Sequence, residues 1–268
     1  MSILLTVVIV LAAIWLSFRL NIFLGIIVSV GAIAVGYYSN YANLMAGRAN
    51  AEFNKKNYDK AMSYYEKAYK SKGRKFTVDI SYAQALLRTG KPEKALEIIN
   101  KILELRVTDE IKKNAKQTRC MINYKLGNLD EAYEEAQEMF DDGFRTSNMY
   151  CLVGFLMLLR NMPIDETLEF CEKAYDYDSD NRDNVDNLIV CYLRKKEYKK
   201  AYELAKELTE AFPEFVEGWY HGAIALKNLG DIDKALEYAS KIKDCTRTYM
   251  TTVSQEQVNS LLIELQKN

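Results

Sequence analysis

The sequence predicts an all-α protein, a stack of helix-turn-helix units following a separate apolar segment. Three observations carry that prediction. Helix formers (Ala, Leu, Glu, Lys, Met and Tyr) dominate and the chain has only three prolines, so strands have little support. A short group anchored on Ala recurs at near-constant spacing from Ala61 to Ala235, with a turn before each copy. Residues 1–41 hold one charged side chain, Arg19, whereas charge is dense and well mixed in the rest of the chain. Two physically different objects are therefore joined near Tyr41.

The apolar segment runs from residue 3 to residue 38 and is interrupted by "FRLN", residues 18–21. One continuous helix over that run would be about 54 Å long at 1.5 Å per residue, against a hydrocarbon core of roughly 30 Å. It would also leave Arg19 near mid-bilayer, at a cost of about 2.5–3.5 kcal/mol on insertion scales. Two shorter helices, residues 3–18 and 22–38, measure about 24–26 Å each by the same rise and span with slight thinning. A cleaved secretion signal is disfavoured because "MSILLTVVIV" opens without Lys or Arg and a second apolar stretch follows Arg19. Residues 1–41 thus read as a transmembrane helical hairpin that meets the lipid bilayer through residues 3–38. Small residues four apart, Ala13 and Ser17, Gly25 and Ser29, Ala32 and Gly36, allow two such helices to approach closely. Tyr37, Tyr38 and Tyr41 fall where an interfacial aromatic belt would close the second span. Arg48, Lys55 and Lys56 follow that span, against Arg19 alone in the turn. The expectation is an integral, multi-pass protein with its larger part in the cytoplasm.

From residue 42 to about 249 the chain is periodic on a scale far longer than a helix turn. The anchors Ala61, Ala95, Ala132, Thr167, Ala201 and Ala235 are separated by 34, 37, 35, 34 and 34 residues. Before each comes a turn, "NKKNYDK", "RTGKPEK", "KLGNLDE", "RNMPIDE", "RKKEYKK" and "NLGDIDK", and before each turn another amphipathic stretch. The unit is helix, turn, helix, about six times over. Small anchors are needed because two helices cross closely there, and a side chain larger than about Cys would push them apart. Residues 250–268 read as a capping helix: Ser254 with Gln257 forms a capping box, and Val258, Leu261, Leu262 and Leu265 share one apolar face.

These repeats resemble the tetratricopeptide repeat family. The family's small residue in the first helix, its Ala, the aromatic four on and the small residue three further are met by Ala49, Ala61, Tyr65 and Ala68, and more loosely by Cys120, Ala132, Ala136 and Met139. In "WYHGAIAL" the large residue is Trp219, with Gly222 and Ala223 after it, and the proline that commonly closes a repeat survives as Pro213. The resemblance implies a right-handed α-solenoid whose first helices line a concave groove, and a role as a protein-binding scaffold. The clamp with which some members hold a chaperone's C-terminal carboxylate is not reproduced: Asn50 fills one role, but Ala46 stands where a cation is needed.

Covalent chemistry finds little support, and no enzyme activity, cofactor or metal is expected. The single histidine, His221, excludes a two-histidine metal site, and no glycine-rich phosphate loop is present. In "DYDSDNRDNVDN" the acidic residues Asp176, Asp178 and Asp180 begin like a calcium loop, but Asn181 and Asn187 stand where Gly and Glu are required. The five cysteines, Cys120, Cys151, Cys171, Cys191 and Cys245, show no CxxC spacing and read as buried free thiols, which suits a reducing compartment. With 36 basic and 37 acidic residues spread in short mixed runs, nucleic acid is not the expected partner.

What remains is surface. One residue per unit recurs at the end of the first helix, and four of these in succession are cations: Arg88, Lys125, Arg160 and Arg194. "CLVGFLMLLR", residues 151–160, is apolar nearly all round, so it must bury a second face or offer one to a partner. The expected groove has an apolar floor of Leu152, Leu156 and Leu159, next to Tyr124, Val190 and Leu193, with Arg88, Lys125, Arg160 and Arg194 on its border. Its partner would be a protein or peptide segment, amphipathic and acidic. The alternative is a structural subunit or assembly factor packed permanently against another membrane protein.

Overall fold

The structure, a computed structural model, describes residues 3–267. Met1, Ser2 and the last residue of the expected cap, Asn268, lie outside the described residues. Among those described there are fourteen α-helices and one 3-10 turn, and no strand. Two apolar helices come first, α1 (Ile3–Leu20) and α2 (Ile22–Asn54), and α2 continues into a pair with α3 (Tyr58–Lys70). Five further pairs follow: α4 (Phe76–Arg88) with α5 (Pro92–Leu103), α6 (Asp109–Lys125) with α7 (Leu129–Asp141), α8 (Ser147–Leu159) with α9 (Ile164–Tyr177), α10 (Arg182–Arg194) with α11 (Tyr198–Ala211), and α12 (Val216–Leu229) with α13 (Ile232–Lys241). The last helix is α14 (Gln255–Gln266). The chain forms two compact units, one ending at Tyr82 and the other beginning at Ala83.

In the first unit the break between α1 and α2 is made by Asn21. Its backbone is extended, and its side-chain oxygen accepts the amides of Phe23 (2.7 Å) and Leu24 (3.3 Å), which restarts the helix. Arg19 lies over the Trp15 ring at 4.8 Å. Ser17 and Gly25 are buried, and Val28, Ser29 and Ala32 are half-buried, forming a seam of mostly small residues. A Cβ on Gly25 would overlap the Phe18 ring, so only glycine fits there. Gly36, expected on the same seam, is exposed and has open space before it. Of the two helices, α2 is long and apolar enough to cross a membrane; the apolar stretch of α1, Leu5–Leu20, is shorter.

The boundary expected at residue 41 is not a helix end. Instead, α2, 33 residues and about 50 Å long in all, runs on unbroken through Tyr41 to Asn54 as the first helix of the first pair. Ser39 Oγ donates to Val35 O (2.7 Å) and Asn40 Nδ2 donates to Gly36 O (3.2 Å), so the polar residues at the junction bond to their own helix and do not interrupt it. Beyond them Met45 and Ala46 pack on Ala68 and Val78. Asn50 accepts the hydroxyl of Tyr65, which occupies the residue considered for a carboxylate clamp.

In the second unit each helix packs mainly on its neighbours in sequence, with α8 also against α10 and α10 against α12. The anchors of both units, Ala61, Ala95, Ala132, Thr167, Ala201 and Ala235, are fully or almost fully buried. A Cβ on Gly222 would come within 2.8 Å of the Tyr238 ring, so the sixth pair has a second crossing that admits only glycine. Every pair turns through one residue of positive φ: Gly90, Gly127 and Gly230, but also Lys56, Asn161 and Lys196. At the end, the Ser254 hydroxyl accepts the Gln257 amide (3.1 Å), and the Gln257 side chain accepts the Ser254 amide (2.7 Å). The expected capping face is in place, with Leu261 and Leu265 buried against Ala223, Leu226, Ala235 and Ala239.

Two stability outcomes follow from these crossings and turns. Ala95→Leu is expected to cost about 1–3 kcal/mol by overpacking, read as a lower denaturation midpoint. Gly127→Ala should lower stability by about 1 kcal/mol because φ is 89° there, whereas Lys196→Gly, at φ 62°, should be neutral or stabilising. Equal responses at the two turns would show that the left-handed residue is not what limits them.

Candidate partner-binding face

The first helices of the second unit place the expected groove residues in three different settings. Leu152 and Leu156 are core, not floor. They are buried with Cys120, Ala132, Ala136 and Met139, and Leu159 is half-buried against the same cluster. The reason is that α8 packs on α7, α9 and α10 at once, so an all-round apolar helix spends its apolar surface on its neighbours. Val190 is likewise half-buried against a cluster of α8, α9 and α10, and Leu193 against one of α10, α11 and α12. Tyr124 and Phe155 are both half-buried and meet in a T-shaped pair at 5.0 Å between ring centroids, an aromatic contact between the first helices α6 and α8. The sequence reading misses Phe155 because a helix apolar on every side gives no periodicity by which to choose its open face.

The four cations also separate. Arg160 pairs with Asp130 at 3.0 Å and lies over the Tyr133 ring, so it is tied to α7. Arg194 Nη2 donates to Leu158 O (2.9 Å) and satisfies a carbonyl at the C-terminal end of α8. Arg88 interacts electrostatically with Asp183. Lys125 Nζ lies 5.0 Å from the Tyr124 centroid and 5.1 Å from that of Tyr249. Burial holds its pKa below the usual lysine range, against the opposing pull of Glu217.

Acidic and polar groups complete the face. Glu217 is 5% exposed, and its Oε1 accepts both the amide (2.7 Å) and the hydroxyl (3.1 Å) of Thr252. His221 Nδ1 lies 2.7 Å from Asp186 Oδ1. Successive first helices are stitched by contacts one repeat apart: Gln84 to Thr118 at 34 residues, Asn181 to Ser147 at 34, Asn187 to Cys151 O at 36 and His221 to Asp186 at 35. Asn181 caps α10 by accepting the amides of Asp183 and Asn184, so part of the calcium-like stretch serves as a helix start.

Among the described residues no group of three or more His, Cys, Asp or Glu is placed to hold a metal ion. Cys120, Cys171 and Cys191 are buried free thiols; Cys151 is half-buried as a residue, yet burial pushes its thiol well up; Cys245 is half-buried, which corrects the expectation there. Burial, followed by the Glu135 carboxylate, pushes the Cys120 thiol up; hydrogen bonding with Cys191, followed by burial, does the same at Cys171. Burial and Asp244 push Cys245 up to about 11. Thiols raised in this way are poor nucleophiles at neutral pH.

Two substitutions test these placements. Leu156→Ser is expected to destabilise the domain by about 3 kcal/mol or more, because it opens a cavity and buries a hydroxyl, so lost binding in that variant would report unfolding. A drop in denaturation midpoint is the readout. At His221, burial opposes protonation, but Asp186 and then Glu217 outweigh it and raise the pKa. A raised folded pKa gives stability that is fully present below the unfolded value of about 6.5 and is lost as pH climbs through the folded value. Wild type should therefore lose more melting temperature between pH 6 and pH 8.5 than His221→Gln. Parallel curves would rule out that linkage.

Residues 53–116 match the tetratricopeptide repeat family. None of the curated proteins matches the chain in sequence. Many solved structures are similar in fold, three of them as follows. A tetratricopeptide repeat protein from Parabacteroides merdae is 12% identical at a TM-score of 0.63, over 97% of this chain and 99% of that one. PilF of Pseudomonas aeruginosa is 15% identical at 0.58, over 85% and 99%. A chain of the APC/C hetero-tetramer Cut9–Hcn1 is 12% identical at 0.68, over 84% of this chain and 42% of that one. Residues 53–116 thus carry the tetratricopeptide repeat signature, and the fold of the chain is the one that tetratricopeptide repeat proteins share.

Proposed function

We propose that this protein is a membrane-anchored interaction scaffold, whose helix pairs hold a partner's protein segment against the face of their first helices, close to the bilayer. The fold is that of a protein–protein interaction scaffold. The observation that carries the anchor is the outward surface of α1 and α2. Val8, Leu11, Trp15, Leu16, Ile27, Ile33 and Val35 are all exposed there, and water is a poor solvent for a contiguous surface of that kind. In this reading α1 and α2 cross as a hairpin, Arg19 snorkels at the far side, and α2 carries the chain directly into the first pair. The anchor and the first repeat helix are then one rod, which fixes the orientation of that pair to the bilayer. Arg48, Lys55 and Lys56 favour the cytoplasmic side for everything after the rod.

On the binding face, Arg88, Tyr124, Lys125 and Phe155 are the residues proposed to meet a partner. Leu152 and Leu156 support them from the core, while Leu159, Val190 and Leu193 form the edges. Arg160 and Arg194 act through the packing they secure. The same apolar surface on α1 and α2 also fits the reading as a structural subunit, in which case the protein should copurify with another membrane protein at fixed stoichiometry.

The anchor is tested on sealed cells with a membrane-impermeant maleimide. Leu20→Cys is expected to be labelled from outside, and Leu44→Cys only after the membrane is opened. Labelling of Leu44→Cys alone from outside would reverse the orientation, and recovery of the protein without membranes would end the anchored reading.

A further inference from the structure

Between Ile242–Asp244, the 3-10 turn, and the capping box at Ser254 the chain forms a strap without helix. The strap belongs to the last pair, yet its tip reaches the first pairs of the second unit. Tyr249 lies over Lys125 at the end of α6, and its ring packs so close to Gly90 that a Cβ added there would sit 3.4 Å from it. Gly90 is the turn between α4 and α5. The base of the strap is fastened by Arg247, whose guanidinium donates twice to Val253 O (3.1 and 2.9 Å). Its tip is turned by Thr248 and Thr251, with the Thr248 amide donating to Thr251 Oγ1 (3.0 Å). Its far end is held by Glu217, which takes the Thr252 amide and hydroxyl together.

This is how a repeat face would hold a foreign segment: an aromatic ring against a cation, and a carboxylate on a backbone amide and the hydroxyl beside it. At its tip the strap is lightly held, with Tyr249 41% exposed, while its end is kept in place by Glu217 on Thr252 and by Val253, which is buried against Val216, Ile242 and Val258. Building on the partner-binding reading above, we infer that residues 246–252, the part of the strap before the buried Val253, are a built-in occupant of this face. The face takes an extended protein segment with an aromatic residue three positions before a Ser or Thr, and such a segment binds by displacing the strap. The charges agree with that chemistry. Lys125 stands at the aromatic end, while Glu217 and Asp186 stand at the hydroxyl end, where an acidic residue on the partner would be repelled.

The test uses the full-length protein in detergent and a fluorescein-labelled peptide of the strap's own sequence, TRTYMTTV. In wild type the tethered strap competes at an effective concentration in the mM range, so the peptide should bind weakly. In Tyr249→Ala/Thr252→Ala the strap loses its ring and hydroxyl while the face is intact. Apparent affinity should rise by about 10-fold or more, since it scales with the fraction of molecules whose face is open. Lys125→Glu added to that variant should remove most of the gain. Arg247→Ala, which unfastens the base of the strap and leaves Tyr249 in the chain, is the second opening variant if the double change lowers the melting temperature. Equal binding to wild type and both opened variants, lost on Lys125→Glu, would overturn the strap's role and leave the binding face standing. Absent binding, or binding indifferent to Lys125→Glu, would overturn both.

Discussion

Each helix pair depends on a crossing with room for about a methyl group. Ala61, Ala95, Ala132, Ala201 and Ala235 stand at that crossing with no exposure, and Thr167 fills it in the fourth pair, where its hydroxyl donates to Pro163 O at 3.0 Å. Helices held so close cannot bury their apolar stripes within one pair, so the second unit exists only as a stack in which each pair covers the next. The stack needs a finished end. That requirement accounts for α14, whose Leu261 and Leu265 cover Ala223, Leu226, Ala235 and Ala239.

What was legible in the sequence is what repeats locally. The anchor spacing, the turn before each anchor, the capping box and the break at Asn21 all depend on residues within a few positions of one another, and each is found where expected. The groove was less legible. Leu152 and Leu156 lie in a helix with apolar residues on every side, so no stripe distinguishes core from surface, and neighbouring helices decide the matter. Arg160 and Arg194 share a repeat position with Lys125, yet their partners are Asp130 and Leu158 O, contacts made between different helices. Three pairs turn through Lys56, Asn161 or Lys196 in left-handed backbone, a place where composition alone leads one to look for glycine. The continuation of α2 past Tyr41 was hidden for a similar reason, since a change in composition does not interrupt a hydrogen-bond ladder.

The stitching between first helices has a consequence for binding. Gln84 with Thr118, Asn181 with Ser147, Asn187 with Cys151 O and His221 with Asp186 use polar side chains that would otherwise line the face. A face whose polar groups are already bonded to one another is rigid and discriminating, because a ligand must match the few groups left over without breaking the ladder. The groups outside that ladder are unlike at the two ends: Lys125 with the Tyr124–Phe155 pair at one, and Glu217, bonded to the strap's Thr252, at the other.

On the proposed reading, a bipolar face of that kind selects against a uniformly acidic partner. Opposed charges along one short path select for direction: a segment that satisfies Glu217 with an amide and a hydroxyl presents its ring to Lys125 in one orientation only, and reversal would leave the buried carboxylate without its donor. Leaving a buried charge unpaired costs several kcal/mol, whereas a cation over an exposed ring contributes about 0.5–1 kcal/mol. On the proposed reading Glu217 sets the register and the aromatic end refines it. The strap obeys the same order, with Thr252 bonded at 2.7 Å and Tyr249 left partly in solvent.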